Sequence, residues 1–332
     1  MRTIALEEHF VSQRFLESAG VNLGDQRALD LSHSEVTDLG ALRLRDMDES
    51  RIDLQVLSHV SPTYSPLTRE QQIDIATAAN DQMARAVAAH PDRFAAFATL
   101  PMSDVDASVR ELDRTVREFG FKGALINGRS DGRFLDHPSL WPILERSAAL
   151  RVPLYLHPGL PTETLRREHY DGFGPSVSYS LGTAAWGWHA ETGLHVLRII
   201  AARVFDRLPE LQIIIGHMGE MVPFMLDRAD EWLTPAAQRE GLQRTVAETF
   251  RAHFWVTTSG MFSTPPFQLL MQVLGADRIL FSVDYPFSSN RQGRAFLDGL
   301  AISPADRAKV SHGNAERLLR LGADSAATAV PA

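Results

Sequence analysis

The sequence predicts a single (β/α)₈ barrel, on three observations. Short, nearly all-apolar runs such as Leu211–His217 suit strands buried on both faces of a parallel sheet. They alternate with segments whose apolar residues recur at helical spacing. Eight such repeats fill 332 residues, a length that one barrel commonly occupies alone. A doubly wound sheet is the alternative, but no Gly-rich phosphate fingerprint follows the first strand.

The first strand, Thr3-Ile4-Ala5-Leu6, runs into Glu7-Glu8-His9-Phe10. Residues 11 to 40 are polar, broken by Gly20, Gly24 and Gly40, and are expected to cover an active site, since long loops in compact domains are usually functional. A helix over 41–51 leads to the second strand, Asp53–Ser58, and Pro62, Tyr64 and Pro66 mark the next loop. A helix over Glu70–Ala89 precedes the third strand, Phe94–Leu100, which Pro101 ends. A helix over Val105–Phe119 then precedes the fourth, Gly123–Asn127. After a helix near Ser139–Leu150 comes the fifth, Pro153–His157. A second long polar loop is expected over 159–183 and a helix over 185–207, before the sixth strand, Leu211–His217. Helical stretches over Glu220–Trp232 and 243–251 precede the seventh, Phe254–Thr258; the eighth is Arg278–Asp284. Two C-terminal helices near 304–311 and 314–321 complete a domain spanning 1–322. The alanine-rich residues 323–332 read as a disordered tail.

Composition narrows the function. Apolar residues make up 44% of the chain and charged ones 22%, enough for a sizeable core. Net charge is −8 with no basic cluster, so nucleic acid is not an expected partner. The absence of cysteine excludes disulfides and thiolate chemistry, leaving His and carboxylate for any metal. Neither a signal peptide nor an apolar run long enough to span a bilayer is evident. The expectation is a cytoplasmic enzyme without a membrane partner.

Polar residues gather at the C-terminal ends of the predicted strands, where barrel active sites form. Strand one ends in Glu7 and His9, strand five in His157, strand six in His217 and strand eight in Asp284. Alternation on a strand points Glu7 and His9 the same way and Glu8 the other. Each residue has a plainer reading, as a loop cap or a turn residue. Their joint placement at one rim favours a metal site.

The segments Ala5-Leu6-Glu7-Glu8-His9-Phe10, Leu156-His157-Pro158, Ile215-Gly216-His217-Met218-Gly219-Glu220 and Leu280-Phe281-Ser282-Val283-Asp284-Tyr285-Pro286-Phe287 resemble the amidohydrolase superfamily. More narrowly, they are similar to its non-oxidative aromatic decarboxylases, the γ-resorcylate, 2,3-dihydroxybenzoate and 5-carboxyvanillate group. The likeness runs through Asn127-Gly128, Glu191-Thr192, Thr257-Thr258-Ser259-Gly260 and Gly313-Asn314-Ala315. The Glu-x-His start is its specific part, because most amidohydrolases carry His-x-His there. The resemblance implies that Glu7, His9, His157 and Asp284 ligate one divalent metal, Zn²⁺ or Mn²⁺. It implies that His217 and Glu220 form a supporting catalytic pair, and that Arg228, Phe287 and Asn127 lie near the substrate. Strand four ends in Asn127, with Lys122 at its opposite end, so a lysine bridge to a second metal is not expected.

By that resemblance the substrate is a small ortho-hydroxybenzoate-type acid. Asp284 would protonate the ring carbon before CO₂ leaves, and the protein would be a homodimer or homotetramer with Trp186, Trp188 and Phe224 as a contact rim. The γ-resorcylate branch carries an aromatic residue near Ser18-Ala19-Gly20, where this chain has Val21 and Asn22, so the ring substitution pattern stays open. Two other readings compete. One is a hydrolase of a small ester, amide or lactone using metal-activated water. The other is a catalytically silent binding barrel, against which the complete ligand set argues. Trp186 and Trp188 read as packing, His189 and His195 as structural or interfacial, and Asp131, Asp136 and His137 as a solvated loop.

Overall fold

The computed structural model describes residues 1–19, 33–60 and 67–321. Residues 20–32 of the cover loop expected over 11–40, the Pro62–Pro66 loop and the tail from 322 lie outside the described residues, and Val21 and Asn22 with them. The ring begins with β1 (Ile4–Phe10), β2 (Leu54–His59) and β3 (Phe94–Ala96). It continues in chain order through β4 (Ala98–Thr99), β5 (Ala124–Asn127), β6 (Leu154–His157), β7 (Ile213–Ile215), β8 (Phe254–Thr257) and β9 (Ile279–Leu280). Every pairing is parallel. β3 and β4 are one stave interrupted at Phe97, whose N–H donates to Leu57 while that of Ala98 donates to Gly123. Leu6 bridges Ser282 and closes the ring, so the barrel has eight staves.

Inward side chains, among them Ile4, Leu6, Val56, Phe97, Tyr155 and Leu280, plug the barrel. Outward ones such as Ala5, Leu57, Ile126, Leu156 and Ile213 meet the surrounding helices. Burial on both faces explains why the staves read as continuous apolar runs.

Helices α1 (Gln13–Ala19) and α2 (His33–Thr37), both short and within the stretch expected as an irregular loop over 11–40, and α3 (Ala41–Ser50) follow β1, and α4 (Arg69–Ala89) follows β2. A capping box starts α4, with Thr68 accepting from the Gln71 N–H and the Gln71 side chain accepting from the Thr68 N–H. Asp104 caps α5 (Val105–Phe119) and Gly120, at φ 70°, ends it. α6 (Trp141–Leu150) precedes β6. The stretch expected as loop over 159–183 instead forms α7 (Glu163–His169) and α8 (Pro175–Gly182). Both are short, α7 started by a Thr162 cap and α8 by the first-turn Pro175, without a long apolar stripe to announce them. The helix expected over 185–207 is broken: α9 (Gly187–Ala201) and α10 (Val204–Arg207) are separated at Arg203, which takes φ 60°. α11 (Val222–Arg239) and α12 (Val246–His253) precede β8. α13 (Thr264–Leu274) and α14 (Asn290–Gly299), absent from the sequence reading, precede and follow β9. α15 (Pro304–Ala308) and α16 (Asn314–Leu319) complete the described chain, in which no helix is long and apolar enough to cross a membrane.

Candidate active site

Ile4 and Leu6 face the barrel interior, and strict alternation would send Glu8 in after them and turn Glu7 and His9 out. One extra residue reverses that phase. The register runs Ala5 to Gln55 and then Glu8 to Leu57, with Glu7 at φ 63°. This bulge brings Glu7 and His9 together at the mouth and turns Glu8 against the end of the last stave. There the Glu8 carboxylate accepts from the N–H groups of Val283 (3.0 Å) and Tyr285 (3.3 Å) and from the Gln55 amide (3.3 Å). Burial pushes its carboxyl up to about 8, against the opposing pull of the Val283 N–H and Arg43.

Glu7, His9, His157 and Asp284 each offer one ligand-type atom, and these atoms lie within 4.8 Å of one another. His157 Nε2 is 3.2 Å from Glu7 Oε1, and His9 Nε2 is 3.7 Å from that oxygen and 3.1 Å from Asp284 Oδ1. Outer partners orient the rings. His9 Nδ1 bonds Ser58 Oγ at 2.8 Å, and His157 Nδ1 donates to the Pro158 carbonyl at 2.7 Å, so each Nε2 is left for the centre. Tyr155, two residues before His157 on the inward face of β6, donates its hydroxyl to Glu7 Oε2. The same hydroxyl lies 2.9 Å from Thr257 Oγ1. A Cβ at Gly216 would approach that Glu7 oxygen to 2.9 Å, so a larger residue there would press on the Glu7 carboxylate.

The residues fit a divalent cation. Glu7 Oε1 and His9 Nε2 are wholly buried without a hydrogen-bond partner, rare for charged or polar atoms unless another group satisfies them. Donors bound about 2.0–2.2 Å from one ion stand roughly 2.8–3.6 Å apart, which brackets the shorter separations seen here. Burial would raise the Glu7 carboxyl, yet His217, His157 and His9 hold it well below the usual carboxylate range. Burial would lower His9, but Asp284 and Glu7 lift it to about 9. Imidazole protons thus carry the compensating charge that a cation would supply.

His217 and Glu220 sit on a backbone the sequence reading assigned to a strand end and a helix start. Residues 217 to 221 all take positive φ, a left-handed turn ahead of α11. For non-glycine residues this conformation costs of order 1 kcal/mol each and tends to persist at functional sites. It brings His217 Nδ1 to 2.8 Å from Glu220 Oε1, with His217 Nε2 3.7 Å from Glu7 Oε1 and 3.9 Å from Asp284 Oδ2. Glu7 and Asp284 also have positive φ, at 63° and 73°. Glu220 receives a second imidazole: His189 Nδ1 is 2.6 Å from Glu220 Oε2. His189, Tyr155 and the left-handed turn were not assigned to the site from sequence, although inward alternation two residues before His157 could have marked Tyr155.

The Phe287 ring lies 5.9 Å from that of His9, and Asn127 ends β5 opposite His157 in register. Arg228 is not brought to this cluster. On α11 it lies 200° of helical rotation from buried Leu226 and is exposed, pairing with Glu231 and stacking over Trp232. Trp188 lies 6.4 Å from the His157 ring, whereas Trp186 is exposed. His195 accepts the Leu135 N–H at 2.7 Å and is pushed down to about 3 by burial, a structural role. His59 is buried against Phe10 and Phe15 and bonds Ser12. Lys122 sits at the far end of the barrel, lowered by burial and by Arg320.

Comparison with known proteins follows the same lines. Residues 32–321 match the family described as Amidohydrolase. A γ-resorcylate decarboxylase of Polaromonas sp. (strain JS666) is 38% identical over 328 residues, covering 96% of this chain and 98% of that protein. The crystal structure of a dihydroxybenzoic acid decarboxylase from Polaromonas sp. JS666, with bound manganese and the inhibitor 2-nitroresorcinol, superposes with a TM-score of 0.88. It is 36% identical and covers 98% of this chain and 99% of that one. A 5-carboxyvanillate decarboxylase from Sphingomonas paucimobilis gives a TM-score of 0.88 at 30% identity, over 97% and 99% of the two chains.

Proposed function

Because the chain belongs to the amidohydrolase family, we propose that it is a metal-dependent, non-oxidative decarboxylase of an ortho-hydroxybenzoate-type acid, with Asp284 as the ring-carbon acid. The observation that carries this reading is the convergence of Glu7, His9, His157 and Asp284 around two buried, unpartnered ligand atoms. These four residues would hold one ion, Mn²⁺ as in the Polaromonas structure or Zn²⁺. When bound, the ion supplies the positive charge that orients the substrate's phenolic and carboxylate oxygens and keeps the phenol ionised.

The chain's own groups account for the proton. Direct cleavage of an aryl–carboxylate bond would leave a high-energy aryl anion, whereas protonating the ring carbon first avoids it. An ortho oxygen makes that step feasible by feeding electron density into the ring. Asp284 gives its proton to the carbon bearing the carboxylate, CO₂ departs with the C–C bond broken, and the bonding pair restores aromaticity. Each turnover consumes one proton. His217, whose Nε2 is 3.9 Å from Asp284 Oδ2, could return it through one intervening water and contact the phenolic oxygen. Phe287, beside His9, would flank the ring, and Asn127 would face the substrate from the end of β5.

The test is to load the protein with Mn²⁺ or Zn²⁺, offer a panel of hydroxybenzoates and follow CO₂ and phenol release. In deuterated water one deuterium should appear on the carbon that lost CO₂. Cleavage of an ester, amide or lactone with every hydroxybenzoate intact would overturn the assignment.

A further inference from the structure

His189 lies outside the metal cluster, yet its ring ends on the carboxylate that supports His217. We infer that His189 is a positioning residue for the reaction proposed above, on which the inference rests: it fixes Glu220, and through it the His217 ring. Three observations carry this. Both ring nitrogens of His189 face oxygen. Nε2 is 2.9 Å from the Ala184 carbonyl and Nδ1 is 2.6 Å from the Glu220 carboxylate oxygen Oε2; both oxygens accept, so the ring presents an N–H from each nitrogen. Glu220 is buried, and with Oε2 engaged its Oε1 is left to His217 Nδ1 at 2.8 Å. Both histidines therefore clamp one carboxylate, and their rings stand 5.0 Å apart at 63°.

The third observation is how α9 meets the left-handed turn. Gly193 is four residues after His189, on the same face of the helix. A Cβ there would stand 2.7 Å from the Glu220 carbonyl oxygen. One face of α9 thus bears on Glu220 twice, by close backbone approach at Gly193 and by a hydrogen bond from His189. Without the second contact Glu220 would keep its backbone place but could rotate its carboxylate away from His217. With it, His217 Nδ1–H is held on Glu220 Oε1 and Nε2 stays turned toward Glu7 and Asp284.

His189, His217 and Glu220 also present three metal-type ligand atoms within 4.8 Å of one another. Their nitrogens and oxygens are already joined by hydrogen bonds, which makes the trio a clamp rather than a second metal site.

The test compares His189→Ala with His189→Asn, whose amide N–H₂ can occupy the place of Nδ1 and still donate. In the metal-loaded enzyme, His189→Ala should lower kcat by about 10–100-fold, the usual scale for removing a group that orients another. KM and metal content should stay unchanged, because His189 touches neither the metal cluster nor the ring of the substrate. His189→Asn should recover most of the loss. Imidazole added to the Ala variant should restore activity, whereas thiazole, of the same size but without an N–H, should not. An Ala variant with unchanged kcat, or an Asn variant as impaired as Ala, overturns the inference. Nitrogen-15 NMR of the histidine rings in the zinc-loaded protein gives a readout free of turnover. His217 should be a single Nδ1–H tautomer in the wild type and in His189→Asn, and mixed in His189→Ala; one unchanged tautomer in all three overturns it. A wild type inactive on every hydroxybenzoate but showing this NMR pattern would instead refute the proposed reaction and leave the clamp standing.

Discussion

Glu7 and Glu8 are adjacent, chemically identical and both fully buried, yet their surroundings assign them different work. Glu7→Gln replaces an anionic oxygen among His9, His157 and Asp284 with an amide. It should strip most of the bound metal and activity, as metal analysis after gel filtration would show. Glu8→Gln trades an acceptor of the Val283 and Tyr285 N–H groups for a side chain that can satisfy only part of them. The expected loss is about 1–3 kcal/mol of stability by urea titration, with metal retained. Asp284→Asn keeps an oxygen ligand and the side-chain volume but removes the titratable proton. It should retain substantial metal and still bind a hydroxybenzoate while turnover falls ~10²–10⁴-fold, roughly 3–5 kcal/mol of barrier. Residue types and strand ends made these positions legible in the sequence. His189 was not, because its role depends on Glu220 being carried round a left-handed turn that nothing in Gly216–Met221 announces. Arg228, which the family likeness placed near the substrate, is exposed on α11 of this chain and is not part of the cluster.

At the scale of elements, strand order and most helices followed from apolar spacing, since a barrel's staves and helices each bury a continuous face. What escaped was local geometry that interrupts periodicity: the bulge at Glu7, the break at Phe97 and the short helices α7 and α8. The bulge matters most, because without it the inward phase of β1 would deliver Glu8 to the mouth. The anchoring of the loop after β5 to α9 is another such detail, and it titrates. His195 Nε2 accepts the Leu135 N–H, so this contact needs an unprotonated nitrogen, and burial lowers the ring from 6.5 to about 3. The unfolded chain takes up the proton near 6.5 and the folded one only near 3. Stability is therefore unaffected above 6.5 and falls with decreasing pH between those limits, by up to about 1.4 kcal/mol per unit. His195→Gln, which keeps an acceptor without titrating, should flatten that part of the profile in thermal melts between pH 6.5 and 4.

At the scale of the molecule, large apolar side chains are left on the surface, with Phe224 78%, Trp232 64% and Trp186 53% exposed. Isolated exposed apolar residues are ordinary, and the expectation is that these aromatics form a contact surface between copies of the chain. Light scattering at working concentration should give a homodimer or larger, and Phe224→Glu should shift it toward monomer. A species that is monomeric in the wild type would count against this surface. The closure of the barrel has a further consequence, one of timing during synthesis. Two of the four candidate ligands of the cluster lie at residues 7 and 9 and the last at residue 284, and the ring closes only where Leu6 meets Ser282. At about 5–20 residues per second, a ribosome needs on the order of 14–55 s to make the intervening chain. Throughout that interval Glu7 and His9 have no Asp284 to meet. The complete ligand set is a property of the finished chain, and a metal held by all four residues reports that the first and last staves have found each other.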